Sequence, residues 1–185
     1  MTDSSTINKS APALFKVVVT GSECTGKTTL VQALAARFGT AFSPEGARNY
    51  LNQVKRPLSF KDVEPIARRQ VLLEGEALAQ AEKLVILDTD LLSTVIYSRH
   101  YYGQCKNWIV EMAESRIADL YLLCDIDVPW TEDGLQRDQG EPEQRIQVHQ
   151  AFIRELSRIQ APHVVLSGDA DTRLGHAIAI IEAYL

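Results

Sequence analysis

Cysteine is scarce in this chain of 185 residues. Cys24, Cys105 and Cys124 are three in number and scattered, which gives neither an even disulfide framework nor a C-x-x-C metal knuckle. The four histidines lack the spacing of a metal site. Positive charge is also short: 19 Lys and Arg stand against 24 Asp and Glu, a net charge of −5. That balance does not favour a module built to grip a nucleic-acid backbone, so no nucleic-acid partner is expected. No apolar run reaches the ~18–20 residues that a membrane-spanning helix needs, so no membrane partner is expected either. The opening MTDSSTINKSAPA has no apolar signal-peptide core, and the reading places the protein in the cytoplasm. Internal repeats, low-complexity tracts, a G-x-S-x-G elbow and a G-x-G-x-x-G fingerprint are all missing.

What is present is an ordinary globular composition, 45% hydrophobic and 23% charged, long enough to bury a core without covalent staples. Residues 1–13 read as a flexible tail and 14–185 as one domain. Leu14–Thr20 is a β-branched run stopping at Gly21, the pattern of a strand buried on both faces. Further short strands are expected at 40–43, 84–87, 120–124 and 163–166. Helical periods fill 29–38, 91–101, 106–117, 142–160 and 170–184. A capping-box-like Ser59-Phe60-Lys61-Asp62 opens another helix running to about Lys83. Apolar strands alternating with helices specify an α/β fold, a mainly parallel sheet with helices on both faces.

Between the first strand and the next helix stand Gly21, Ser22, Glu23, Cys24, Thr25, Gly26, Lys27 and Thr28. They match G-x-x-x-x-G-K-[ST] in the strand-to-helix context that this phosphate-binding loop requires. Its glycines let backbone N–H groups surround phosphate oxygens, and the helix N-terminus adds its positive end. Lys27 is expected on the β- and γ-phosphates and the Thr28 hydroxyl on Mg²⁺, so ATP and Mg²⁺ are the implied cofactors. Cys24 has two open readings: a thiol activated by the helix end and Lys27, or a small residue whose backbone is what matters.

Asp88 ends the apolar run 84–87, where a carboxylate can hold the Mg²⁺ shell or, in a small-molecule kinase, accept a hydroxyl proton. Glu45 and Arg48 follow the second strand and border the same cleft if the sheet is parallel. They suit a ribose hydroxyl and a phosphate, and equally a solvated helix entry. Arg137 and Arg145, on a polar stretch between a strand and a helix, read either as lid arginines over the transferring phosphoryl or as exposed salt-bridge partners. Trp130, beside Pro129, suits stacking on a planar ring as well as rim packing.

Taken together, GSECTGKTT at 21–29, Glu45-Gly46-Ala47-Arg48, Asp88-Thr89-Asp90 and Val128-Pro129-Trp130-Thr131-Glu132-Asp133-Gly134 resemble the NadR-type nicotinamide riboside kinase domain, a P-loop ATPase/kinase. The resemblance runs from about residue 15 to the end. It implies a P-loop NTPase fold of the nucleoside/nucleotide kinase kind and ATP-dependent phosphorylation of a nucleoside 5′-hydroxyl, most simply nicotinamide riboside to its mononucleotide. It implies that Thr29 closes the phosphate loop and that Asp88 assists the metal or activates the hydroxyl. Glu45, Arg48, Asp90, Trp130 and Asp133 would shape the side that takes a small-molecule nucleoside. Gly168 would lie where the adenine rests. The family's arginine after Asp-Gly falls at Arg137, one residue late, and Arg145 is its alternative. The rival reading is a nucleotide-dependent switch or partner-binding ATPase with no small-molecule acceptor.

Overall fold

In the computed structural model, the described residues are 14–129 and 142–185. Five parallel strands form one sheet in the order β2-β3-β1-β4-β5. The strands are β1 (Phe15–Thr20), β2 (Phe42–Ser43), β3 (Leu84–Asp88), β4 (Leu120–Cys124) and β5 (His163–Leu166). Helix α1 (Lys27–Phe38) follows β1 and α2 (Gly46–Val54) follows β2. A 3-10 turn (Phe60–Asp62) leads into α3 (Val63–Gln80), and α4 (Leu91–Tyr102) and α5 (Asn107–Ser115) separate β3 from β4. Helices α6 (Pro142–Arg158) and α7 (Ala170–Glu182) flank β5. The expected α/β class and parallel sheet are therefore the observed ones.

Successive strand side chains point to opposite faces, and the core divides accordingly. Val17, Val19, Leu84, Ile86, Leu120 and Leu122 pack with α1 and α7 on one face. Val18, Val85, Leu87, Tyr121 and Leu123 pack with α3, α4 and α6 on the other. A third cluster, including Ala67, Leu91, Val95 and Ile109, joins α3, α4 and α5. Full burial of each Val or Leu side chain is worth about 1.5–3 kcal/mol, and both faces must be covered for the central strands to collect it.

Helix α2 extends the helix entry read at Glu45 and Arg48 into nine residues, of which Gly46 and Leu51 are buried. The long helix expected from Ser59 begins instead as the 3-10 turn. Both bonds of its capping box form, between Ser59 and Asp62. Asp62 also pairs with Arg56 at 2.7 Å and accepts from the Tyr50 hydroxyl at 2.9 Å.

The register aligns Val19 with Asp88 and Ser43 with Leu87. The carboxyl ends of all the strands thus meet at one edge of the sheet. From β1 the chain goes to β2 and β3 on one side and then to β4 and β5 on the other, and the change of side beside β1 leaves the crevice in which such folds bind ligands.

Candidate active site

The loop between β1 and α1 is shaped by its backbone. Gly21 has φ +131°, and a Cβ there would stand 2.8 Å from the Cys124 carbonyl oxygen. Gly26 caps α1 in the left-handed region at φ 80°, and Cys24 adopts the same region at φ 55°. Inside the loop, the Thr25 hydroxyl donates to the Ser22 carbonyl at 2.8 Å. Lys27 Nζ donates to that same carbonyl, also at 2.8 Å. The exposed first-turn N–H groups of α1 and the Lys27 ammonium make this concavity a built anion site. Its cavity, about 310 Å³, is lined by Glu23 through Thr29 and by Glu45 and Arg48.

Asp88, 1% exposed, adjoins the cradle through its lining residue Thr28. Its Oδ2 accepts from the Thr28 hydroxyl at 2.6 Å. Its Oδ1 is buried with no hydrogen-bond partner. Burial first, and then the charge of Glu45, push its carboxyl up to about 6. A buried carboxylate oxygen without a donor, beside a threonine hydroxyl, fits a hard divalent cation completed by phosphate oxygens and water. No group of three or more His, Cys, Asp or Glu residues that could hold a metal occurs among the described residues.

Two further cavities meet this cradle. On one side, a cavity of about 70 Å³ is walled by Glu23, Glu45, Arg48, Gln70, Thr89 and Tyr97, with apolar Leu51, Val63 and Ile66. It shares Glu23, Glu45 and Arg48 with the phosphate cradle. Glu45 and Arg48 pair at 3.7 Å and sit at the N-terminal end of α2. On the other side, about 430 Å³ of largely apolar space runs past Leu30, Ala33, Val128, Pro129, Ala170 and Leu174. Gly168, at φ +97°, forms the turn before α7 and donates its N–H to Asp127 at 2.5 Å.

Arg145 and Arg173 brace the loop from behind. Arg145, 8% exposed, rises from the first turn of α6 and donates to the Val128 carbonyl at 2.8 Å. It also reaches the Cys24 carbonyl at 3.5 Å. It is therefore a buried arginine at the start of the helix expected over 142–160, where the sequence offered a lid arginine or an exposed salt-bridge partner. Arg173, 4% exposed, donates to the Thr25 carbonyl at 2.7 Å and the Asp125 carbonyl at 3.1 Å, and pairs with the Asp127 carboxylate.

Asp90, expected on the acceptor side, occupies another place. Its Oδ1 caps α4, accepting from Leu92 N at 3.0 Å and Ser93 N at 3.3 Å. Its Oδ2 accepts from the Tyr121 hydroxyl at 2.8 Å beneath the sheet. Both oxygens are consumed by structure, because a helix N-terminus leaves donors that a carboxylate can satisfy. Trp130, Asp133 and Arg137 lie outside the described residues.

Sequence reasoning missed Gln70, Tyr97 and Arg173. A signal existed for two of them. Gln70 falls on the buried stripe of α3 with Ile66, Leu73 and Ala77, and Arg173 on that of α7 with Ala177 and Ile181. A polar residue on an apolar stripe is seldom buried without partners that matter.

A family profile described as "AAA domain" matches residues 16–173. The trifunctional NAD biosynthesis/regulator protein NadR of Escherichia coli (strain K12) is 27% identical over 170 residues, which are 89% of this chain and 41% of that protein. Its counterpart in Salmonella typhimurium is 27% identical over 172 residues, 90% and 42% respectively. The chain thus spans less than half the length of these relatives. A crystal structure of a NadR protein in complex with NR has a TM-score of 0.78 at 26% identity, covering 92% of this chain and 51% of that one. Another NadR protein structure, with NAD and AMP-PNP, has a TM-score of 0.79 at 26% identity, covering 92% and 49%. A thymidylate kinase from Ehrlichia chaffeensis, at 17% identity and TM-score 0.68 over 92% of this chain and 100% of that one, shares the fold.

Proposed function

We infer the function from the premise that this chain belongs to the AAA domain family of P-loop proteins: it is an ATP-dependent kinase that phosphorylates the 5′-hydroxyl of a nucleoside, and that nucleoside is nicotinamide riboside. The observation that carries the reading is the opening of the phosphate cradle onto a second, mostly apolar cavity through the shared Glu23, Glu45 and Arg48. A nucleotide switch has no use for a walled chamber at the γ-phosphate end of its cradle. A kinase needs one to bring the acceptor in line with that phosphate.

The apolar space beside Leu30, Ala33 and Leu174 suits the adenine, and the loop N–H groups with Lys27 suit the triphosphate. Thr28 and Asp88 would hold Mg²⁺, which would supply charge neutralisation for the nucleotide's phosphates. Glu45 and Arg48 stand between the two cavities, where Glu45 can accept from a ribose hydroxyl and Arg48 can meet the transferring phosphoryl. Taking the proton of the attacking hydroxyl is the alternative to metal binding for the donor-free Oδ1 of Asp88. Arg145 holds the Cys24 turn of the cradle from α6, with Arg137 as the second arginine of the site. Trp130 and Asp133 complete the acceptor side, Trp130 by stacking on the base.

The substrate rests on two supports. One is the NadR protein structure described in complex with NR. The other is the wall of the smaller cavity, in which the carboxylates of Glu23 and Glu45 and the ring of Tyr97 favour a planar cation. ADP formation from ATP and Mg²⁺, measured with and without nicotinamide riboside, tests the reading. A kinase forms mononucleotide and ADP in equal amounts. A switch ATPase releases ADP at the same rate either way.

A further inference from the structure

We propose that Gln70 is a positioning residue of the acceptor site, locking the start of α2, with Glu45 and Arg48, into register with the turn that follows Asp88. The inference rests on the kinase reading above and assigns a device within that site.

Gln70 is 2% exposed and reaches from the middle of α3 to the start of α2 and to the turn after β3, just beyond the Ser43–Leu87 pairing of β2 and β3. Its Oε1 accepts from Gly46 N at 2.8 Å. Its Nε2 donates to the Thr89 carbonyl at 3.2 Å and to Glu74 Oε1 at 3.1 Å. Both amide donors and one acceptor are therefore used.

Each segment depends on the clamp. Gly46 N is one of the first-turn donors of α2 that no intrahelical carbonyl can satisfy. Nor can the contact be relaxed by a larger residue: a Cβ on Gly46 would lie 2.8 Å from Gln70 Oε1 and 3.0 Å from Gln70 N. On the other side, Thr89 has φ 65°, a strained conformation for a β-branched side chain. Such a residue persists only where its surroundings over-determine it. Here its N–H is fixed by the Val19 carbonyl at 3.0 Å and its carbonyl by Gln70. The same amide thus sets where Asp88 leaves the sheet and where Glu45 and Arg48 enter the cleft. It does so at the wall, Glu45 and Arg48, that the acceptor cavity shares with the cradle, through bonds to Gly46, Glu74 and Thr89 rather than to the Gly21–Thr29 loop.

A residue in this place acts on acceptor geometry and leaves the Gly21–Thr29 loop, which suits the triphosphate, in place. The test compares wild type, Gln70→Met and Gly46→Ala by steady-state kinetics with nicotinamide riboside as acceptor, and by AMP-PNP affinity. Gln70→Met keeps the length of the side chain and removes its polar atoms. Gly46→Ala attacks the same contact from the other side and serves if Gln70→Met does not fold. The expected result is a loss of about 10- to 100-fold in acceptor kcat/KM for each variant, since small misplacements at a reacting centre cost that much. AMP-PNP affinity should stay within about twofold, and the double variant should fall short of the product of the single losses. A folded variant with wild-type acceptor kcat/KM, or an equal loss of AMP-PNP affinity, overturns the positioning role while leaving the kinase reading in place. A wild type that ignores nicotinamide riboside and other nucleosides overturns the kinase reading, and the role of Gln70 with it.

Discussion

The Thr28 hydroxyl donates to Asp88 Oδ2 across 2.6 Å, joining the first turn of α1 to the last residue of β3. The pair fixes one carboxylate oxygen and leaves Oδ1 buried and without a partner. Proposed as the Mg²⁺ position, it makes a definite demand. Asp88→Asn should lower Mg²⁺-dependent turnover by at least about 10²-fold, the order of loss when one preorganised electrostatic partner is removed. Nucleotide affinity in EDTA should change little. Turnover against Mg²⁺ concentration checks this, and an unchanged Mg²⁺ dependence would move the metal elsewhere.

The same carboxylate carries a pH signature. Its folded value, about 6, lies above the ordinary 3.8 because of burial and the neighbouring Glu45 charge. The stability of its protonated form is fully present below the ordinary value and is lost as pH rises through about 6. Asp88→Asn should therefore stabilise the ligand-free protein at about pH 8, on the order of 2 kcal/mol, with the gain gone by about pH 4. Thermal unfolding at the two pH values measures it. Catalysis runs the other way: turnover should fall as pH drops through about 6, and rising Mg²⁺ should move that limb to lower pH. A limb that ignores Mg²⁺ would separate Asp88 from the metal.

Lys27→Ala should leave the fold intact and reduce phosphoryl transfer by at least about 10²-fold, since its charge is expected on the transferring group. Circular dichroism and turnover together decide it. A folded variant with normal turnover would remove the cradle from the reaction.

Asp90 separates structure from catalysis. Asp90→Ala strips the cap from α4 and leaves the Tyr121 hydroxyl buried without its acceptor, so stability should fall by about 2–4 kcal/mol. Asp90→Asn keeps an acceptor for α4 and should hold acceptor kcat/KM near wild type. Denaturant unfolding and kinetics of the two variants check this. A large acceptor defect in a stable Asp90→Asn protein would return Asp90 to the site.

Much of this was legible in the residues. The apolar runs at 84–87 and 120–124 are strands buried on both faces, and β-branched 14–20 before Gly21 could hardly be anything else. The phosphate loop is legible because its chemistry depends on backbone freedom and spacing that leave a fixed residue pattern. In the residues alone, Asp88-Thr89-Asp90 reads as one acidic turn, and nothing there separates its two carboxylates. Thr89, at φ 65°, turns the chain so that the two carboxylates part company. Helix α2 is hard to read from the residues although Ala47, Tyr50, Leu51 and Val54 recur at helical spacing, because it is only nine residues long and opens at Gly46 without a side-chain cap. Gln70 and Arg173 act by bonding backbone groups far away in sequence, and only the packed fold shows which carbonyls they reach.

The central claim is that the cavity beside Glu45 takes nicotinamide riboside as acceptor. The most direct measurement is kcat/KM for nicotinamide riboside, uridine, cytidine and adenosine with ATP and Mg²⁺, in wild type and Glu45→Gln. The account predicts that nicotinamide riboside leads the panel, with about 0.5–2 kcal/mol of preference from its cationic ring against an aromatic face. Glu45→Gln should cut acceptor use and spare ATP affinity. Equal rates across the four nucleosides, or a Glu45→Gln variant that loses ATP binding and keeps its acceptor, would contradict it.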